Sequence, residues 1–538
     1  MGFCGKLLSK IRASLFVFKK AEILKNIVNK EMEGEYDNLC HSCYFNERYH
    51  EQAELKGIYP DNSKLNISIY LGGALGDYIV YLRFVDEIST ICDCAMDLFL
   101  DRMEFAAYVY GKRQNVTIIH DAANCLFLGS VGQYDLAVHL DHGVTLKGCK
   151  LGAIREKAPE FYVTACKIVE FCKKNQIDNP NQSERECVLL RRARILGETK
   201  WSKLSCGGAI DMREMYSNLW LDSQSLYALD RYQIRNKKYI TINFGADKNM
   251  GGTAQTKVLP ADTLQMLVQK FKQKYPDFLV VQTGVRDSMK IPGADRYAFE
   301  CKLDETAIIL KYSTCHIDSE GGLVHMASQL STPCVVSFGP TPVYYYGYPR
   351  NKNIVSSVCS DCMATTSQWS RVCPRGMQVP ACMKSIKSDE LLGAIEEILE
   401  ESSIAKSQII IPSNAESDVW QTTKQYLEKT EAVNICIVAA LDNKIAEQAV
   451  QMKKMGKCVT IFIPVKVDDQ VVKLRTALKK DGIAVEYGSP INIARQNDSF
   501  DLLYCQKDEA TEQEHHYSEK ECARLLKNNG VLVWMENK

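Results

Sequence analysis

The run Asn66-Ile-Ser-Ile-Tyr-Leu71, followed directly by Gly72-Gly-Ala-Leu-Gly-Asp77 and the apolar-rich stretch Ile79–Val85, limits the possible folds more than any other feature of the chain. Alternating side chains read as a strand, the glycines as a sharp turn, and the segment after them as a helix. Strand, glycine turn and helix in that order open an α/β layer. The same rhythm returns at Tyr239–Phe244 and Gly245, with a helix over 261–274 and strands at Phe278–Gln282, Cys315–Asp318 and Cys334–Phe338. It returns a third time with strands at Asn434–Ala440, Val459–Ile463, Leu502–Tyr504 and Val531–Trp534. Val116–Ile119 and Leu136–Leu140 also read as strands, whereas residues 150–235 read as helical.

A length of 538 residues suits three or four domains. The divisions expected are an N-terminal helical extension (1–64), a first α/β lobe (65–235), a second α/β lobe closed by the helix Ser388–Leu399 (236–400), a polar linker or connecting helix (401–433) and a last α/β module (434–538). Two successive lobes with a cleft between them is the expected architecture. In the extension, Leu7, Leu8, Ile11, Leu15, Ile23 and Ile27 recur at helical spacing among lysines and Arg12. Such a helix either packs on the protein with a solvated basic face or makes a peripheral contact with an anionic membrane. Cys40-x-x-Cys43 lacks a second pair and reads as ordinary thiols.

Lys plus Arg total 66 and Asp plus Glu total 66, so no basic surplus points to nucleic acid. The 22 cysteines sit in a chain long enough to bury a core without staples, so reduced thiols and a cytoplasmic location are expected. No apolar run is long enough to span a bilayer and no leader-like segment opens the sequence.

Two constellations carry chemistry. Asp77 stands at a helix start, where it serves either as a simple cap or as a general base facing the cleft. Thr253, Thr256 and Lys257 follow a glycine-rich turn, a grouping suited to a diphosphate, and Glu320-Gly-Gly-Leu-Val-His325 is a second turn whose N–H groups can face anionic oxygen. Taken one at a time, Lys257 reads equally as a solvated loop charge, His325 as a hydrogen-bonded interior histidine, and Gly321 and Gly322 as plain turn residues.

In this order the blocks resemble the ADP-heptose:lipopolysaccharide heptosyltransferases, glycosyltransferase family 9. Leu71–Asp77 looks like that family's loop ending in Gly-Asp, and Gly245 through Lys257–Pro260 looks like its Gly…Lys-x-Trp-Pro segment. Glu320-Gly-Gly-Leu-Val-His325-Met-Ala…Thr332-Pro333…Phe338-Gly-Pro-Thr341 is similar to its Asp-Thr-Gly-x-x-His-x-Ala…Phe-Gly-Pro-Thr block. Leu259 replaces the tryptophan, Glu320 the aspartate and Gly321 the hydroxyl residue. The resemblance covers residues 65–400. It implies a GT-B fold and an inverting transfer with no catalytic cofactor, from a nucleotide sugar such as ADP-heptose to a hydroxyl of a cell-surface, lipopolysaccharide-type glycan or of a protein. It implies Asp77 as base, Thr256 and Lys257 as donor-diphosphate contacts, and Glu320, Gly321, Gly322 and His325 as the turn near the donor. A non-catalytic nucleotide-sugar-binding or assembly protein with the same fold is the rival expectation, and a homo-oligomer is compatible with either.

Cys359-x2-Cys362-x10-Cys373-x8-Cys382 has the composition of a structural zinc or iron site, or else is a set of reduced buried thiols. It resembles a cysteine-rich insertion, associated with iron, in part of the same family. Phe500–Tyr504 and Arg524–Val533 resemble late strands of class I methyltransferases, but Val438-Ala-Ala-Leu-Asp-Asn443 has no glycine where the cofactor loop would lie. A degenerate Rossmann-like module is expected there.

Overall fold

A computed structural model describes residues 63–535, without 101, 114, 120–122, 176–181, 214, 245–254, 287, 403–407, 412–418, 464–468, 489–490, 496 and 507–511. The N-terminal helix, Cys40, Cys43, Gly245 and Thr253 lie outside the described residues.

Among the described residues the chain is α/β and builds three sheets. The first contains β1 (Leu65–Leu71), β2 (Cys94–Phe99), β3 (Val116–Ile119), β4 (Leu136–Leu140) and β5 (Val144–Cys149), in the order β3-β2-β1-β4-β5. It is parallel except for the β4–β5 hairpin. The second contains β6 (Tyr239–Asn243), β7 (Leu279–Thr283), β8 (Arg296–Ala298), β9 (His316–Ser319), β10 (Cys334–Phe338) and β11 (Lys352–Val355), in the order β11-β10-β9-β6-β7-β8. The third contains β12 (Gln408–Ile411), β13 (Asn434–Val438), β14 (Cys458–Ile463), β15 (Ala484–Tyr487), β16 (Phe500–Gln506) and β17 (Leu526–Met535), in the order β12-β17-β16-β13-β14-β15. The first two sheets form Rossmann-type lobes of the GT-B kind.

Central strands are apolar because helices cover both faces of a parallel sheet. Leu65, Ile67, Ile69 and Leu71 of β1 are all buried, and so is every residue of β10. In each sheet the strand order reverses once: between β1 and β4, between β6 and β9, and between β13 and β16. At such a point the loops leave in opposite directions and open a crevice beyond the strand ends, where ligands of open α/β sheets bind.

The stretch 401–433, read from sequence as a linker or connecting helix, contributes β12 and the helix Val419–Lys429. β12 pairs in register with β17, from Gln408↔Gly530 to Ile411↔Val533. A four-residue edge strand carries too little apolar pattern to stand out in sequence.

The third unit is fastened to both lobes. Glu486 is ion-paired with Arg83 of the first lobe (3.4 Å) and with Arg495 (2.5 Å). Lys311 of the second lobe pairs with Glu521 at 2.8 Å, and Glu521 also accepts from Ile493 N. Asn492 Nδ2 donates to Leu219 O, and Ala494 N donates to Asn218 Oδ1, in the connection between the lobes.

Candidate functional site

The first crevice is built by the glycine loop. Gly72 N donates to Leu140 O at 3.0 Å, carrying the β1–β4 pairing one step past the strand. Gly73 has φ +98°, a conformation open to glycine, and any β-carbon on it would strike the Asp77 carboxylate. Helix α1 (Leu75–Ile91) starts here. Asp77 Oδ2 accepts from Ala74 N at 2.8 Å, so the carboxylate caps the helix. Its other oxygen bonds Lys200 Nζ. Lys200 opens the short helix α2 (Lys200–Leu204), whose cap Thr199 accepts from Ser202 N. Burial works against the ionised Asp77, but the Lys200 charge and hydrogen bond, the Ala74 N–H and His142 outweigh it and hold the pKa below the usual carboxylate value.

The second crevice lies at the ends of β6 and β9. Lys257 Nζ meets Glu320 Oε2 at 2.6 Å, and the other Glu320 oxygen is 3.4 Å from His325 Nε2. His325 Nδ1 is 2.9 Å from Tyr348 Oη. Glu320 is 6% exposed, which disfavours its charge, yet Lys257 and then His325 drive its pKa well below the ordinary range. Thr256 sits elsewhere than expected of a donor contact. It is buried, and its hydroxyl and N–H both donate to Ser370 O, tying the loop to the cysteine-rich segment. Gly321 has φ 177°, extended backbone open to any residue.

The two crevices face each other. Helix α3 (Gly322–Gln329) begins against the first turn of α1: a β-carbon on Gly76 would lie 2.5 Å from His325 Cδ2, and one on Gly322 would lie 3.2 Å from Leu75 Cβ. Only small residues let the helix starts approach this closely, and the two positive helix ends then share one space. An aromatic wall lines it. The rings of Tyr346, Tyr348 and Trp201 lie 6.4, 5.5 and 6.1 Å from that of His325, and Lys200 Nζ sits over the rings of Tyr346 (5.2 Å) and Tyr81 (5.5 Å). Tyr345 Oη donates to His142 O at 3.1 Å and so bridges the lobes, while Tyr81 Oη donates to Asp141 O at 2.6 Å within the first lobe. A cavity lined by Asp141, Arg185, Arg192, Glu198 and Lys203 lies on the first-lobe side, next to this centre rather than in it.

Asp77, Lys257, Glu320, Gly322 and His325 are thus brought to one interface, while Thr256 is turned away. Sequence reading missed Lys200, Trp201 and the tyrosines. Val343-Tyr-Tyr-Tyr-Gly-Tyr348 directly after Gly339-Pro-Thr-Pro342 was a usable signal, because four tyrosines in five positions are too many for a solvated loop. Nothing local marks Lys200, whose importance depends on a partner 123 positions away.

Cys373 and Cys382 are buried, and Cys359 and Cys362 are half-buried. Burial raises the Cys382 thiol to about 12, with Cys359 and Cys362 adding to the shift; burial also raises Cys362, with Cys373 and Cys359 adding. Among the described residues no three His, Cys, Asp or Glu side chains converge closely enough to hold a metal, so the expected zinc or iron cage is not formed by these four thiols as they stand. No helix among the described residues is long and apolar enough to cross a membrane.

No family model and no curated protein matches the chain. Solved structures with a similar arrangement include the Escherichia coli ADP-heptose lipopolysaccharide heptosyltransferase II (12% identity, 63% of this chain and 100% of that one, TM-score 0.41). They also include the iron-containing dodecameric glycosyltransferase TibC of enterotoxigenic E. coli (13%, 64% and 81%, 0.42) and a family 9 glycosyltransferase of Veillonella parvula (13%, 64% and 99%, 0.39). Likenesses this distant carry no functional argument, which rests instead on the residues above.

Proposed function

We propose that the chain is an inverting glycosyltransferase moving a sugar, heptose in the first instance, from a nucleoside-diphosphate donor such as ADP-heptose to a hydroxyl of a cell-surface glycan or a protein. The observation that carries this reading is the meeting of Asp77 with the Lys257–Glu320–His325 group across the inter-lobe contact of Gly76 with His325. A single carboxylate suffices for inversion: the acceptor oxygen attacks the anomeric carbon, Asp77 takes the hydroxyl proton, and the diphosphate leaves with the bonding electrons. On this reading Lys257 and the N–H groups at the start of α3 neutralise that leaving charge. Lys257 must then exchange part of its Glu320 contact for phosphate oxygen. A structural zinc or iron on Cys359, Cys362, Cys373 and Cys382 belongs to the same proposal, as a support for the loop that Thr256 grips and with no catalytic part; elemental analysis finding no metal in a fully active protein would remove it.

One feature favours a second reading, a protein that binds nucleotide sugar without turning it over. Asp77 and Lys257 are each already ion-paired inside the protein. A thermal-shift panel of nucleotide sugars, followed by turnover of whichever donor stabilises the fold, separates the two. Binding with release of nucleoside diphosphate supports transfer; binding without release at any pH supports the rival.

A further inference from the structure

Lys200 is more deeply buried than the acid it pairs with: its side chain is 2% exposed and that of Asp77 26%. A buried ammonium is costly without a partner. Lys200 Nζ lies over the Tyr81 and Tyr346 rings, and its carboxylate partner is Asp77, next in sequence to Gly76, which abuts His325 of the second lobe. A pair built only for stability has no reason to leave its acid partly open beside the contact between the lobes.

We propose that Lys200 is the positioning residue for Asp77: it aims the carboxylate at the acceptor hydroxyl, and its charge is released toward the departing diphosphate as Asp77 takes the proton. This rests on the glycosyltransferase reading above. Charge balances at each step. Before reaction, Asp77 and Lys200 cancel. The acceptor O–H bond then breaks as the O–C bond forms and the C–O bond to diphosphate breaks. The proton goes to Asp77 and the electron pair to the diphosphate. Lys200 is thereby left as an uncompensated cation when the leaving group gains its negative charge. The Tyr346 ring under Lys200 also packs edge-on to His325, which is in turn 3.4 Å from Glu320, so the released charge sits one ring from the donor side. The other groups around Asp77 are the Ala74 N–H, His142 (itself 3.4 Å from Glu186), and the hydroxyls of Tyr81, Tyr110, Tyr345 and Tyr346, which burial keeps neutral.

The test uses Lys200→Met, which keeps chain length and removes charge, with Lys200→Arg as the charge-restoring variant and Asp77→Asn as the reference. Two readouts are taken on the full chain: the pH profile of kcat/KM, and the infrared titration of the carboxyl band that Asp77→Asn lacks. In Lys200→Met, the acid limb and the band should move up together by about one pH unit or more. Its kcat should fall roughly tenfold or more even where Asp77 is ionised. Lys200→Arg should recover most of both effects. A wild-type titration in Lys200→Met overturns the positioning role, and a shifted titration with unchanged kcat overturns the charge release. Wild-type turnover by Asp77→Asn instead overturns the base assignment, and this proposal with it. The infrared titration does not depend on turnover, so a transfer-inactive protein still reports on the pair.

Discussion

The crevice at β1/β4 and the crevice at β13/β16 start from the same element, a parallel strand running into a helix where the strand order reverses. They end as opposites. After β1 the loop has three glycines in Gly72–Asp77, and its acid is left partly open at the joint between the lobes. After β13 the loop Ala439–Asp442 has no glycine. Its Ala440 N–H is taken by Gln506 Oε1 at 2.9 Å, from the end of the neighbouring strand, and Asp442 caps Ile445 N at 2.7 Å. A side chain thus takes up a loop N–H group at the strand end. A reversal of strand order makes room for a ligand, but loop side chains decide whether that room stays open.

The largest contrast comes from removing the acid in each loop. Asp77→Asn should lower transfer about a hundredfold or more while donor affinity stays near wild type. Asp442→Ala should cost about 1 kcal/mol of stability, the usual value of an N-cap, with transfer unchanged. Equal effects on rate would erase the distinction between the two crevices.

Lys257→Ala should weaken donor binding roughly tenfold to a hundredfold, the worth of a charged hydrogen bond to phosphate, as measured by calorimetry. It also strands the Glu320 carboxylate, 6% exposed, so the melting temperature should fall as well. Unchanged affinity would remove Lys257 from the donor site.

Gly76→Ala tests the inter-lobe approach. Its β-carbon must displace the His325 ring, at a cost of about 1–3 kcal/mol, seen as lower stability and lower turnover together. Glycine-to-alanine at Gly393, where nothing lies within 4 Å, should leave turnover unaffected.

Acid should weaken the first two crevices together. The folded pKa values of Asp77 and Glu320 are depressed, so both pairs contribute their full stability above the unfolded values of 3.8 and 4.5. That contribution is lost as pH falls below them toward the folded values. Lys200→Met should flatten the Asp77 part of this acid limb, as followed by thermal unfolding.

The smallest effect is expected at β13/β16. S-adenosylmethionine should give no saturable heat with the full chain, and Gln506→Ala should not create binding, because the loop still lacks the glycines that allow close approach. Micromolar binding to the wild type would turn the closed crevice into a second site.

Much of this was legible in sequence. The α/β class followed from strands whose apolar runs are dictated by burial on both faces, and Val116–Ile119, Leu136–Leu140 and Cys334–Phe338 fall where the pattern puts them. β5, β8, β11, β12 and β15 were not read, because short or edge strands carry polar residues and lose their period, and the central β2 was missed because Asp97 interrupts its apolar run. Asp77, Lys257, Glu320 and His325 were named because glycine turns and charged residues at strand ends have a local signature. Which of them meet did not. Thr256 had the right chemistry and the right place in the chain, but Ser370 O claims its hydroxyl. Lys200 carried no signal, since an ammonium becomes part of a site only through the partner that folding sets beside it. Sequence determined the turns, the strands and the candidate charges, because these depend on neighbours along the chain. Only the tertiary structure decided the pairings across the lobes, because those depend on how closely Gly76 and Gly322 let two helix starts approach.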